Sequence, residues 1–175
     1  MKKVVSFIIC CLFLAFPVCS FVVEARPPND GEFVWIEPKC APGFCLDADR
    51  RTIERGANGA TCNIWGHVEE GAACQTWHAE KISDVGLQYK FICGANGGFL
   101  RRPKALIEFS DSRVATWSSD WGPNQRWTLT DAGDGYFFII NQASGNYLTV
   151  NGDSGGSEVW GYQFTGSDAQ KWRIH

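Results

Sequence analysis

The tripeptide Gln-x-Trp occurs three times, as Gln75-Thr76-Trp77, Gln125-Arg126-Trp127 and Gln170-Lys171-Trp172, with the tryptophans 50 and 45 residues apart. A motif that returns at a nearly constant period marks an internal repeat. A unit of that size cannot bury its own apolar face, so the copies must pack on one another. Other landmarks keep the same order. Trp65, Trp117 and Trp160 precede the motif tryptophans by 12, 10 and 12 residues. Upstream of each comes an apolar pair near a glycine: Gly43-Phe44-Cys45-Leu46, Gly98-Phe99-Leu100 and Gly145-Asn146-Tyr147-Leu148. Before these lie Phe33-Val34-Trp35-Ile36, Tyr89-Lys90-Phe91-Ile92 and Phe137-Phe138-Ile139-Ile140, which read as strands.

Each copy therefore predicts four short strands joined by turns and loops. Asn58-Gly59, Asn96-Gly97, Ser144-Gly145, Asn151-Gly152 and Gly155-Gly156 supply the turn chemistry. No long helical period competes after residue 25. The expectation is an all-β chain of twelve strands with pseudo-threefold symmetry, its repeats spanning about 33–80, 87–130 and 135–175. Trp77, Trp127 and Trp172 are expected in the core, where a large ring contributes most. Gln75, Gln125 and Gln170 share a strand face with them, and their amides can satisfy open backbone groups.

The chain opens with Met1-Lys2-Lys3 and an almost wholly apolar run from Val4 to Val23. Residues 1–25 read as a secretory signal, with Pro17 interrupting the run and Val23-Glu24-Ala25 as the cleavage site. Residues 26–175 then form one secreted domain with no membrane insertion. They carry 14 basic and 18 acidic side chains, a balance that argues against nucleic acid as a partner. Five cysteines remain: Cys40, Cys45, Cys62, Cys74 and Cys93. An oxidising compartment favours disulfides, and the odd count leaves one thiol for a possible homodimer. No Cys-x-x-Cys or ligand-like histidine spacing is present, so neither a metal nor another cofactor is expected.

Three Gln-x-Trp motifs at this spacing resemble the ricin B-type lectins, a β-trefoil family, over about 33–175. The resemblance implies a six-stranded barrel capped by three hairpins. It also implies metal-independent binding of galactose-type or related glycans and glycoproteins. A family sugar site draws on one repeat: an Asp after the Leu position, an aromatic on the next strand, a polar residue two before it, and an Asn directly before the motif Gln. The first repeat offers Asp47, Asn63, Trp65 and Gln75, with Cys74 at the Asn position. The second offers Trp117 and Asn124, with Arg101 at the Asp position. The third offers Trp160 and Glu158, with Thr149 and Ala169 replacing Asp and Asn. The first repeat ranks highest.

The family's usual disulfide would join Cys45 to a position near His67, where no cysteine stands. Cys45–Cys62 and Cys74–Cys93 bridges are expected instead, with Cys40 left over. No local signature of a catalytic set is present, so an enzyme is not expected. The rival reading is a trefoil scaffold that binds a protein partner through residues 78–88, the longest link between repeats. The chain has no Asn-x-Ser/Thr acceptor for an N-glycan.

Overall fold

The computed structural model describes residues 26–68, 72–83, 85–94 and 103–175. Among the described residues, the runs of aromatic and β-branched side chains form thirteen short strands. They are β1 (Glu32–Val34), β2 (Ile36–Pro38), β3 (Phe44–Ala48), β4 (Ala60–Gly66), β5 (Trp77–Ser83), β6 (Leu87–Cys93) and β7 (Lys104–Glu108). After them come β8 (Val114–Ser118), β9 (Trp127–Gly133), β10 (Tyr136–Asn141), β11 (Tyr147–Val150), β12 (Val159–Tyr162) and β13 (Lys171–Ile174). One α-helix, α1 (Arg50–Glu54), lies between β3 and β4, capped by the Asp49 carboxylate on Thr52 N. The thirteenth strand arises because the opening strand breaks at Trp35. There the backbone exchanges bonds with His175, Trp35 N to His175 O at 2.7 Å and His175 N to Trp35 O at 3.1 Å.

Antiparallel pairing runs β5–β6–β9–β10–β13–β2, and β1 pairs with β5. With β1 and β2 taken as one broken strand, six strands close into a ring without a free edge. The register repeats three times: Val34 faces Trp77, Tyr89 faces Trp127 and Phe137 faces Trp172. The hairpins β3–β4, β7–β8 and β11–β12 form the cap, and the tip of each leans on the next. Ala60 pairs with Thr116, Gly161 N donates to Ser112 O at 2.8 Å, and Ile64 N donates to Ser157 O at 2.9 Å. This is the β-trefoil expected from the repeats.

Trp77, Trp127 and Trp172 are fully buried. Their indole N–H groups donate to the carbonyls of Leu46, Leu106 and Leu148 at 3.0, 3.0 and 2.8 Å. That triplet corrects the second repeat. Leu106 holds the place expected for Leu100, and Ile107, not Arg101, follows it. Leu100 and Arg101 lie outside the described residues, as do Asn96 and Gly97.

The 78–88 link is also not a free loop. Residues 78–83 belong to β5 and 87–88 to β6, and the Gly31–Ala79 and Lys81–Asp30 bonds hold β5 to the N-terminal segment. No helix among the described residues is long and apolar enough to cross a membrane.

Candidate functional site

Side chains of β3 and β4 point alternately to the two faces of the hairpin. Leu46, Ala48, Cys62 and Ile64 face the core, which turns Asp47, Asn63 and Trp65 outward on one face. Cys45, on the same side as Asp47, is buried as well. Asp47 and Asn63 are directly opposed across the ladder, and Trp65 follows two residues along. Trp65 is 55% exposed. The tip of the β11–β12 hairpin closes one side. A Cβ built on Gly155 would lie 3.5 Å from Trp65 Cε3 and 3.3 Å from Phe44 Cε1, so the diglycine backbone packs against the ring with nothing between. Burial pushes the Asp47 carboxyl above the usual carboxylate range. Hydrogen bonds from the Cys74 thiol and the Gln75 amide pull it partly back. The Asn63 side-chain oxygen is buried and has no hydrogen-bond partner.

Gln75 is buried and serves the backbone. Its Oε1 accepts from Val68 N at 3.0 Å and its Nε2 donates to Gly66 O at 2.9 Å. Gln125 does the same for Asp120 and Ser118, and Gln170 for Thr165 and Gln163. The motif glutamine thus pins the loop that leaves the cap hairpin, three times over. Among the three repeats it marks one structural position, and it borders the outward face of the first repeat only through its bond to Asp47.

The same register compares the other repeats. Opposite Ala105 stands Trp117, and opposite Tyr147 stands Tyr162, as Trp65 stands opposite Cys45. Tyr162, 51% exposed, is therefore the third-repeat equivalent of Trp65, and Trp160 is the equivalent of Asn63. The sequence spacing had placed Trp160 in the aromatic position with Glu158 as its polar neighbour. The path from this position to the motif tryptophan is 12 residues in the first repeat and 10 in the second and third, so counting 12 back from Trp172 reaches Trp160 instead. In the structure Trp160 Nε1 donates to Glu158 Oε2 at 3.0 Å.

The second repeat has buried Ile107 and Ala115 at the positions of Asp47 and Asn63, so apolar side chains take the two polar positions beside Trp117. Asn124 offers its backbone oxygen to Asn141 Nδ2 at 2.9 Å. In the third repeat Thr149 donates its hydroxyl to Tyr147 O at 2.8 Å and accepts from Gln170 Nε2 at 3.1 Å. Among the described residues, a carboxylate, an amide and an exposed aromatic come together on this face only in the first repeat.

All five cysteines described are free thiols. The expected Cys45–Cys62 bridge fails on register. Cys45 opposes Trp65 on the outward face, whereas Cys62 opposes Ala48 on the core face, and side chains on opposite faces of a hairpin cannot meet. Cys74 and Cys93 are neighbours, with the Cys93 thiol 3.9 Å from the Cys74 carbonyl, but they are not bonded to each other. Burial pushes the Cys74 thiol up to about 12, with Asp47 adding to the rise. No metal-holding group of His, Cys, Asp and Glu occurs among the described residues.

The model of the ricin-type β-trefoil lectin domain-like family matches residues 73–154 and 123–175, together more than half of the chain. The chain belongs to this family. Solved structures agree on the fold of this ricin-type trefoil. The designed threefold-symmetric protein ThreeFoil superposes with a TM-score of 0.68 at 27% identity, covering 81% of this chain and 96% of its own. The Polyporus squamosus lectin gives 0.64 at 15% identity, covering 84% and 49%. The exo-β-1,3-galactanase 1,3Gal43A of Clostridium thermocellum gives 0.66 at 21% identity, covering 85% and 31%. The chain thus spans nearly all of ThreeFoil, about half of the lectin and about a third of the galactanase. No curated protein matches it.

Proposed function

We propose that the protein is a secreted carbohydrate-binding protein that holds galactose-type or related glycans without a metal, at the outward face of the first repeat. The observation that carries this reading is the buried, unpartnered oxygen of Asn63 beside the half-buried carboxylate of Asp47. A buried acceptor without a donor costs about 1–3 kcal/mol. A sugar hydroxyl supplies the missing donor. Asp47 accepts from neighbouring hydroxyls as a charged acceptor, and the exposed Trp65 ring takes the C–H face of the pyranose. Two nearby carboxylates are already engaged, Asp49 in capping α1 and Glu158 with the Trp160 indole, which supports binding over catalysis. Strand pairing holds most of residues 78–88, which weakens the reading of that segment as a protein-binding loop.

A shallow site of this kind binds one sugar at around millimolar Kd, about −4 kcal/mol. The test is a glycan array of the protein with and without EDTA, beside Asp47→Ala. Binding that survives EDTA and is lost in the variant is expected. Absence of binding from a folded wild-type protein overturns the reading.

A further inference from the structure

Asparagine followed by glycine is a chemically labile step, because no side chain on the glycine shields its nitrogen from the asparagine amide. Two of the chain's three such steps, Asn58-Gly59 and Asn151-Gly152, lie among the described residues, and the fold treats them in opposite ways. Asn58-Gly59 sits where the first repeat meets the second. Gly59 N donates to Thr116 O at 2.7 Å. Asn58 Oδ1 accepts from Lys104 Nζ at 2.6 Å, Ser118 N at 2.8 Å and Ser118 Oγ at 3.0 Å. Both the nitrogen and the amide are held by other groups.

Asn151-Gly152 opens the tip of the β11–β12 hairpin, where residues 151–156 are exposed. Among the described residues, neither the Asn151 side-chain amide nor the Gly152 N–H has a hydrogen-bond partner. The turn requires glycine there: its φ is 141°, and a Cβ would lie 2.4 Å from Ser157 Oγ. The fold thus puts its unshielded residue where water reaches it.

The reaction needs only water and hydroxide. Hydroxide takes the Gly152 N–H proton, and the nitrogen attacks Asn151 Cγ. The Cγ–Nδ2 bond breaks, and the amide nitrogen takes a proton from water and leaves as ammonia. Water then opens the five-membered succinimide that remains. Opening at Cγ leaves aspartate in an ordinary backbone. Opening at the main-chain carbonyl leaves isoaspartate, whose backbone runs through Cγ and is one methylene longer. Either product adds a negative charge near Asp153.

This tip is also the wall beside Trp65. Gly156 N donates to Ile64 O at 2.8 Å, Ile64 N donates to Ser157 O at 2.9 Å, and Gly155 packs on the Trp65 ring. Asn151 N closes the tip on Glu158 O at 2.8 Å, so a longer backbone at residue 151 shifts residues 152–157 against β4.

We propose that Asn151-Gly152 is a self-modification site, at which the ageing protein forms aspartate and isoaspartate and displaces the wall beside Trp65. Its effect on ligand rests on the carbohydrate-binding reading above; the modification itself does not.

The test incubates protein produced from the full-length chain at pH 6 and pH 8 and maps its peptides by mass spectrometry with electron-transfer fragmentation, which separates isoaspartate from aspartate. The Asn151 peptide is expected to convert about tenfold faster than the Asn58 peptide, as expected from hydrogen bonding that must first break at Asn58, and faster at pH 8 than at pH 6. In urea the two should convert at similar rates. Equal rates in the folded protein, or no conversion at Asn151, overturn the proposal. Labelling with ¹⁵N-tryptophan, with the Trp65 indole assigned through Trp65→Phe, reads the wall. The Trp65 resonance is expected to shift as isoaspartate accumulates and to stay in place in Asn151→Gln. A resonance that ignores full conversion overturns the displacement. Binding of a glycan held by fresh protein is expected to fall with the converted fraction and to persist in Asn151→Gln; equal binding by fresh and converted protein overturns the link to ligand. If no glycan binds the fresh protein, the carbohydrate reading falls, and the peptide map and the Trp65 resonance still decide this one.

Discussion

At the scale of single residues, the buried Gln and Trp of the motif divide the work between the loop above the barrel and the core. Each tryptophan fills the barrel and bonds a leucine carbonyl, and each glutamine bonds the loop above it. Trp127→Ala should cost about 3–5 kcal/mol, read as a lower midpoint in urea unfolding. Asp47 carries the opposite demand. Its carboxyl is less acidic folded than unfolded because of burial, so ionising it costs the native state. Stability contributed by this group is therefore present at pH below its unfolded pKa and falls as pH rises through the raised native value. Sugar binding needs the ionised form and runs the other way. Affinity should drop on acidification with a midpoint above the ordinary aspartate range, and a titration from pH 7 to 3 by calorimetry checks it. A midpoint at or below that range would refute the assignment of Asp47.

At the scale of elements, the three cap hairpins share one register but differ where each tip meets its neighbour. The first contact sets Asn58 against Lys104 and Ser118, the second sets Ser112 against Gly161 above Glu108, and the third sets a diglycine against Trp65. Gly161→Ala tests the second contact. The new methyl must displace a buried carboxylate that holds two hydrogen bonds, so the variant should lose about 1–3 kcal/mol in thermal unfolding. Gly43→Ala serves as its control. Nothing lies within 4 Å of that added Cβ, so only the cost of a positive φ remains.

For the whole molecule, closure matters more than any one strand. β13 bonds both β10 and β2, and His175 closes the ring on Trp35. Deleting residues 171–175 removes Trp172 and leaves two strand edges open. The expected result is loss of the cooperative transition in circular dichroism, not a modest decrease in midpoint. The core residues come from all three repeats, so a truncated chain has no complete subset on which to fold.

The three Gln-x-Trp motifs alone determined the repeat number, the all-β class and the burial of Trp77, Trp127 and Trp172, because a period in sequence becomes a symmetry in space. Asp47, Asn63 and Trp65 were singled out by the family resemblance, and the structure adds that strand alternation puts them on one face. Sequence spacing failed where the connections between strands differ in length between repeats. Leu106 and Tyr162 hold positions that counting gave to Leu100 and Trp160, because hydrogen-bond register, not distance along the chain, decides which residues are equivalent. The face on which Cys45 and Cys62 point is likewise a property of register. The wall that the diglycine tip sets beside Trp65 exists only once two repeats, distant in sequence, are packed tip against strand.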